Sequence, residues 1–360
     1  MTATYWRGGC VDSFIYGWAY STVFRRYALT TFTRKMSWKS VHHRRVVAAS
    51  LVEGVYVLER DREKNRQGSE ALASPWWEFF HFQLLHPLVD NVDSCIFGAV
   101  YEYKPALDCK NSTEGAPRYV IAFRGTITKG DAFSQDLKLD FHFIQNGLHL
   151  TPRFEIAMQA VRNIVATYGD LNVWLAGHSL GSAMSMLAGK NMAKSGIFLE
   201  AYLFNPPYFS APIEKIKDKK VKSGIRIASS LITAGLAVAT KGHQQRTTSE
   251  DPFLLLSPWV PNLFVNPGDH ICAEYIGYFE HRKTMEEIGA GGIERLATQN
   301  SLGGLFLTAI GRQAEEPLHL LPSANLTVNL SKYSNFKQAH GIHQWLRPDT
   351  HLQSKLHQYR

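Results

Sequence analysis

The segment Gly177-His178-Ser179-Leu180-Gly181 places a hydroxyl nucleophile between two glycines at the spacing a very sharp turn requires. The apolar run Asn172-Val173-Trp174-Leu175-Ala176 precedes it, and a stretch rich in small residues, with Ser182, Ala183 and Ser185, follows. Together they predict a buried strand, a tight turn and a closely packed helix running through 182–193. In such a turn a Cβ at Gly177 or Gly181 would collide with backbone, which is the physical reason for glycine at both positions. The turn lifts the Ser179 hydroxyl out of the sheet. It also aims the first amides of the helix, Leu180 N–H foremost, at the space where negative charge builds on an attacked carbonyl oxygen. Gly177, His178 and Gly181 are thus read as the frame of a nucleophile elbow.

A serine hydroxyl attacks only when a base takes its proton, and the usual base is a histidine oriented by a carboxylate. Loops at the C-terminal ends of the strands are expected to carry all three groups. Asp269 is the expected acid. It follows the apolar triplet Leu263-Phe264-Val265 across the turn Asn266-Pro267-Gly268, whose proline and glycine hold its position. Asp251 is a competitor, but no strand pattern precedes it. Asp269 also fits the role of a cap for a helix starting near Ile271. His340 is the expected base, with His343 as its rival; His351 lies too near the terminus to be favoured. The i, i+3 spacing of His340 and His343 has no third ligand and no His-Glu-x-x-His pattern beside it, so no metal is expected. Phe123-Arg124-Gly125-Thr126 ends a second apolar run just before a polar loop. Thr126 N–H and Leu180 N–H are the proposed oxyanion pair, each donor lowering the barrier by about 3 kcal/mol.

Elements that must position these residues are legible as alternating strands and helices. Val46, Val47, Ala49, Leu51, Val52, Val55, Tyr56 and Leu58 recur near a helical period within 37–70, and Glu59 to Glu70 reads as a charged, exposed tail or loop. The cluster Trp76-Trp77-Glu78-Phe79-Phe80 reads as a buried brace. Strands are expected at 96–103, 119–123, 172–176, 200–204, 263–265 and, last, 326–330, with a polar loop over 104–117. Residues 153–168 form an amphipathic helix stopped by Gly169. Such alternation predicts an α/β fold with a mainly parallel central sheet and helices on both faces.

Composition bounds the remainder. With 360 residues, 45% hydrophobic and 19% charged, the chain is expected to be globular. Its net charge of +8 is modest and no nucleic-acid motif accompanies it, so no nucleic-acid partner is expected. None of Cys10, Cys95, Cys109 and Cys272 belongs to a Cys-x-x-Cys pair, which points to free thiols. Sequons begin at Asn111, Asn325 and Asn329, but no secretory signal is visible. No segment is long and apolar enough to span a bilayer; the best, 225–240, carries Arg226. Asp12 is the sole acidic residue before Glu53. Residues 1–36 are read as a basic extension, with the cytoplasm as the expected location and a plastid as the alternative. Between about 209 and 262 lies an insertion that opens on Lys215, Lys217, Lys219, Lys220 and Lys222 and continues into an uncharged helix candidate over 227–240. It is read as a surface helix, with peripheral contact to a membrane surface as the alternative.

The order Phe-Arg-Gly-Thr, Gly-His-Ser-Leu-Gly, Asn-Pro-x-Asp and Ala-His-x-x-x-x-Trp resembles the class 3 lipases. It is most similar to the plant lipase-like group often labelled GDSL esterase/lipase, although the nucleophile motif here is not Gly-Asp-Ser-Leu. The resemblance runs from about residue 37 onward and is strongest over 118–210 and 260–280. It implies an α/β-hydrolase fold over 37–360, with Ser179 as nucleophile, Asp269 as acid, His340 as base, and Thr126 with Leu180 at the oxyanion hole. An aromatic residue five positions after the histidine is common in the family, and Trp345 occupies that place for His340. The resemblance also implies an ester or lipid substrate and no cofactor. The alternative is a lipase-like interaction or signalling protein for which catalysis is dispensable. The family's usual lid position falls at 127–147, where Asp131, Asp136 and Asp140 speak against a strongly apolar lid.

Overall fold

The computed structural model describes residues 37–105, 114–127, 147–208, 226–227, 252–291, 293, 319–347 and 351–359. The extension 1–36, the lid position at 128–146, the insertion apart from residues 226–227 and 252 onward, and Asp251 lie outside the described residues.

Eight strands form one sheet in sequential order: β1 (Phe82–Val89), β2 (Ile96–Tyr103), β3 (Tyr119–Phe123), β4 (Val173–His178), β5 (Glu200–Phe204), β6 (Asn262–Val265), β7 (Ala324–Asn329) and β8 (Leu352–His357). β3 to β7 run parallel, while β1, β2 and β8 add antiparallel edges. This is the mainly parallel, helix-covered sheet of an α/β hydrolase.

The helices are α1 (Val41–Glu63), α2 (Pro75–Glu78), α3 (Pro152–Tyr168), α4 (Leu180–Lys194), α5 (Pro252–Leu256), α6 (Glu274–Glu287) and α7 (Phe336–His340). Side chains alternate along the parallel strands and so feed two cores. Ile121, Leu175, Leu203 and Val265 join α3, α4 and α6 on one face. Val120, Ala122, Trp174, Ala176, Tyr202 and Phe264 join α1 and the Trp76–Trp77 brace on the other. Parallel strands laid down in sequential order send their right-handed crossovers to one face. The opposite face therefore needs a cover from elsewhere in the chain, and α1 supplies it. That helix is buried almost all round from Val46 to Val57, and a Cβ at Gly54 would sit 3.2 Å from the Trp77 ring.

Two expectations are corrected, and one strand, β1, has no counterpart in the sequence pattern. The run from Glu59 to Glu70 is exposed only from Arg62 onward: helix α1 continues to Glu63, and Glu59 and Asp61 are buried. Glu59 accepts from Arg62 Nε at 2.7 Å and from Ile96 N–H at 2.8 Å, while Asp61 caps the amides of Leu72 and Ala73 at 2.8 and 3.0 Å. Both carboxylates thereby pin the helix to β2 and to the segment leading into α2. The strand at 324–329 is not the last, because β8 pairs with it from Ala324↔His357 to Asn329↔Leu352. Strand β1 was also not anticipated. It is an edge strand that carries Pro87 and has no clean alternation, as edge strands tolerate. Among the described residues no helix is long and apolar enough to cross a membrane. Cys95 and Cys272 are free and buried.

Candidate active site

The parallel register brings the C-terminal ends of β3 to β7 to one edge, with Phe123 beside Gly177 and His178 beside Phe204. Gly177 and His178 end β4, and Thr126, Ser179, Leu180, Asp269 and His340 lie in the segments that follow β3, β4, β6 and β7.

Ser179 has φ 56° and ψ −121°, a conformation L-residues seldom adopt, and such sites hold about 1–3 kcal/mol of strain. Close packing enforces it. A Cβ on Gly177 would overlap the Gly181 carbonyl, and one on Gly181 would overlap the Phe123 carbonyl of the neighbouring strand. Ser179 N–H donates to Phe204 O at 2.9 Å, and the Ser182 hydroxyl, 2.7 Å from the carbonyls of both Gly177 and Phe204, shares its one proton between them. Helix α4 starts at Leu180, so the Leu180 N–H belongs to the first turn, where no intrahelical acceptor exists.

His340 Nε2 lies 3.0 Å from Ser179 Oγ, and its Nδ1 lies 2.8 Å from Asp269 Oδ2. All three side chains are buried. Asp269 also accepts from Asn205 Nδ2 at 2.7 Å and from Ile271 N–H at 3.0 Å, and the Cys272 thiol donates to it at 3.1 Å. Burial alone would raise the Asp269 pKa. The His340 charge and hydrogen bond, with Asn205 and the Ile271 amide, outweigh burial and bring it below the ordinary value. Asp269 does not take the helix-capping role considered for it: α6 starts at Glu274 after Ala273 with no side-chain cap, and the Ile271 amide closes a turn on Asp269 Oδ1 while Oδ2 faces His340.

His340 ends α7, a single turn capped by the Asn335 side chain. Its ring stacks on Phe336 at 5.4 Å, inclined by 17°. His343 is placed elsewhere: its side chain is 43% exposed and its Nε2 lies 3.9 Å from Glu53. His351 is exposed.

Gly125 meets the nucleophile directly. Its Cα leaves no room, since an added Cβ would lie 2.8 Å from Ser179 Cβ and 2.9 Å from the His178 carbonyl. Arg124, buried behind it, donates from Nε to Ile96 O at 2.6 Å and from Nη1 to Gly125 O at 2.7 Å. A trans peptide opposes its C=O and N–H. With the Gly125 carbonyl turned to the guanidinium, the Thr126 N–H is turned the other way.

Sequence reasoning missed the residue that joins acid and base. Asn205 is fully buried, at φ 48°, in the turn after β5. Its amide nitrogen donates to Asp269 and, at 3.2 Å, to Ala339 O; its carbonyl oxygen accepts from Trp345 Nε1 at 2.6 Å. Trp345 is thus a strut for the His340 loop, held by the same carboxamide that holds the acid. Gln344 adds to this, donating to Ala339 O at 2.5 Å and accepting from Asn266 at 2.8 Å and Asn329 at 3.1 Å. Asparagine in the left-handed region directly after a strand, at Asn205-Pro206, was the available signal. Asn329 is engaged here and fully buried, which removes its sequon from solvent.

Among the described residues the one cluster with metal-ligand types is Asp90, Asp93 and Cys95, remote in sequence from the serine. Arg153 already supplies its positive charge, ion-paired to Asp90 and, at 2.7 Å, to Asp93.

The family model described as Lipase (class 3) matches residues 113–207, the stretch holding β3, the elbow and β5. The chain is similar to GDSL esterase/lipase At4g10955 of Arabidopsis thaliana, with 56% identity over 336 residues, covering 90% of this chain and 95% of that relative. Identity of that extent, over a fold and an elbow of this form, places the chain in the plant class 3 lipase-like family.

Proposed function

We propose that the chain hydrolyses carboxylic esters through Ser179, His340 and Asp269. The observation that carries the proposal is the unbroken run from Ser179 Oγ to His340 Nε2 and from His340 Nδ1 to Asp269 Oδ2, at 3.0 and 2.8 Å. Because Asp269 accepts from Nδ1–H, the Nε2 lone pair faces the serine hydroxyl. His340 takes the Ser179 proton as Oγ attacks the ester carbonyl, and the buried, ionised Asp269 stabilises the resulting imidazolium. The oxyanion is received by the amides of Leu180 and Thr126, a role that the helix start and the Arg124-fixed peptide support. His340 then protonates the leaving alcohol, and water, activated by the same ring, releases the acid from the acyl-enzyme. No step needs a cofactor or metal. The lipase and esterase names of the matched family and relative support lipid or acylglycerol esters as the substrate class.

An ester panel of graded acyl length, run on wild type and Ser179→Ala, tests this. Turnover in the variant falls by about 10⁴-fold or more, and a fluorophosphonate probe labels the wild type at Ser179. A wild type that neither labels nor turns over any ester overturns the proposal and leaves the interaction-platform reading.

A further inference from the structure

A second chain of hydrogen bonds runs beneath the serine, acid and base and is not consumed by them. Gly125 N–H donates to Tyr56 Oη at 2.7 Å. Tyr56 Oη lies 2.8 Å from His178 Nδ1, and His178 Nε2 lies 2.7 Å from the His340 carbonyl oxygen. All of these groups are buried.

Chemistry at the two ends sets the direction throughout. A backbone amide only donates and a carbonyl only accepts. The His340 carbonyl therefore requires the proton on His178 Nε2. The neutral ring then presents its lone pair at Nδ1, which accepts a hydrogen bond from the Tyr56 hydroxyl, and the phenol oxygen is left to accept from Gly125. Burial, with His340 next, lowers the His178 pKa to about 3, so the ring is neutral at working pH. Burial raises the Tyr56 pKa, so the phenol keeps its proton.

The loops joined in this way come from opposite sides of the nucleophile strand. Gly125 follows β3, and His340 follows β7 by eleven residues. The order of the sheet does not by itself lock one loop to the other. A catalytic constellation must be held within about 0.5 Å to function. Tyr56 lies on α1, a largely buried helix, and His178 belongs to β4. Each is therefore a rigid mount.

We propose that Tyr56 and His178 are positioning residues that hold the oxyanion loop at Gly125–Thr126 and the base loop at His340 in a single register. This inference rests on the serine-hydrolase reading of the site. Ground-state binding does not depend on that register, whereas simultaneous proton transfer and oxyanion stabilisation do, so the effect falls on kcat and not on KM.

The test compares wild type, Tyr56→Phe, His178→Gln and the double variant on a soluble ester, with active serine counted by fluorophosphonate titration and folding followed by thermal melting. Counting active serine removes any loss caused by unfolded protein. The expected result is a fall in kcat per titrated serine of about 10- to 100-fold in each single variant, with KM within about threefold. The double variant is expected to be no more than about twofold below the weaker single, because either change breaks the same chain. Turnover per titrated serine within twofold of wild type in both single variants overturns the inference. So do losses that multiply in the double variant, since they mean independent roles. A wild type that does not react with the probe removes the hydrolase reading itself, an outcome distinct from both.

Discussion

Gly125→Ala is the most exacting perturbation of this site, because it adds a single methyl group between the nucleophile and the oxyanion loop. That methyl would lie 2.8 Å from Ser179 Cβ, 2.9 Å from the His178 carbonyl oxygen and 2.7 Å from Tyr56 Oη. Ordinary carbon–carbon contact is about 3.5 Å, so roughly 0.7 Å must open between Gly125 and the elbow. The elbow cannot yield readily: its glycines are already in contact with backbone, and Ser179 N–H is held by Phe204. The oxyanion loop therefore moves, and Thr126 N–H moves with it. Oxyanion donors act at about 2.7–3.1 Å, so a displacement of this size takes one donor out of range. Loss of one donor costs about 10²- to 10³-fold in kcat. The assay is kcat and KM on a short-chain chromogenic ester, with thermal melting in parallel. A variant that melts like wild type and keeps kcat within threefold would refute both the clash and the assignment of Thr126 to the oxyanion hole.

The two histidines expected from the sequence should separate cleanly on substitution. His340→Ala should lower turnover by about 10⁴-fold. His343→Ala should leave it within about threefold, because that ring is half exposed and turned toward Glu53; equal losses in the two variants would reverse the choice of base. Stability should fall with acidification. His178 and His319 are fully buried and their pKa values are lowered to about 3, by burial first and then by His340 and Lys190 respectively. Between that value and the ordinary 6.5 the unfolded chain binds a proton that the folded chain does not. Their contribution is therefore complete above about pH 6.5 and is lost as pH falls toward 3, at about 1.4 kcal/mol per pH unit for each ring. His178→Gln should flatten the pH dependence of the urea midpoint between about pH 5.5 and 4 by one ring's share, and an unchanged slope would show that His178 is already charged in the folded protein.

Local steric demands are written in short segments, and those were readable from the sequence alone. The elbow is the clearest case: Gly177 and Gly181 are required by atoms within a few residues or on the adjoining strand, so their spacing announces the turn before any tertiary contact is known. The same holds for β2 to β6, whose apolar runs reflect burial on both faces, and for α3, which Thr151 caps and Gly169 ends at φ 82°. Edge strands β1 and β8 lack that signal because one side of each faces solvent, and the pattern of β8 is almost wholly exposed. Glu59 and Asp61 look like surface charge in the sequence, since nothing local reveals that Ile96, Leu72 and Ala73 will bring amides to them.

The elbow, the strand ends and the residue types able to do the chemistry belong to the sequence. Which imidazole faces Ser179, and what holds it there, was decided only on folding. His340 and His343 are near neighbours in the chain, yet α7 ends at one and the following turn carries the other away. Asn205, Tyr56 and His178 reach their partners across 64, 69 and 162 positions of sequence. A hydrogen bond depends on tenths of an ångström and on direction, and over such separations only the packed sheet and α1 can set either.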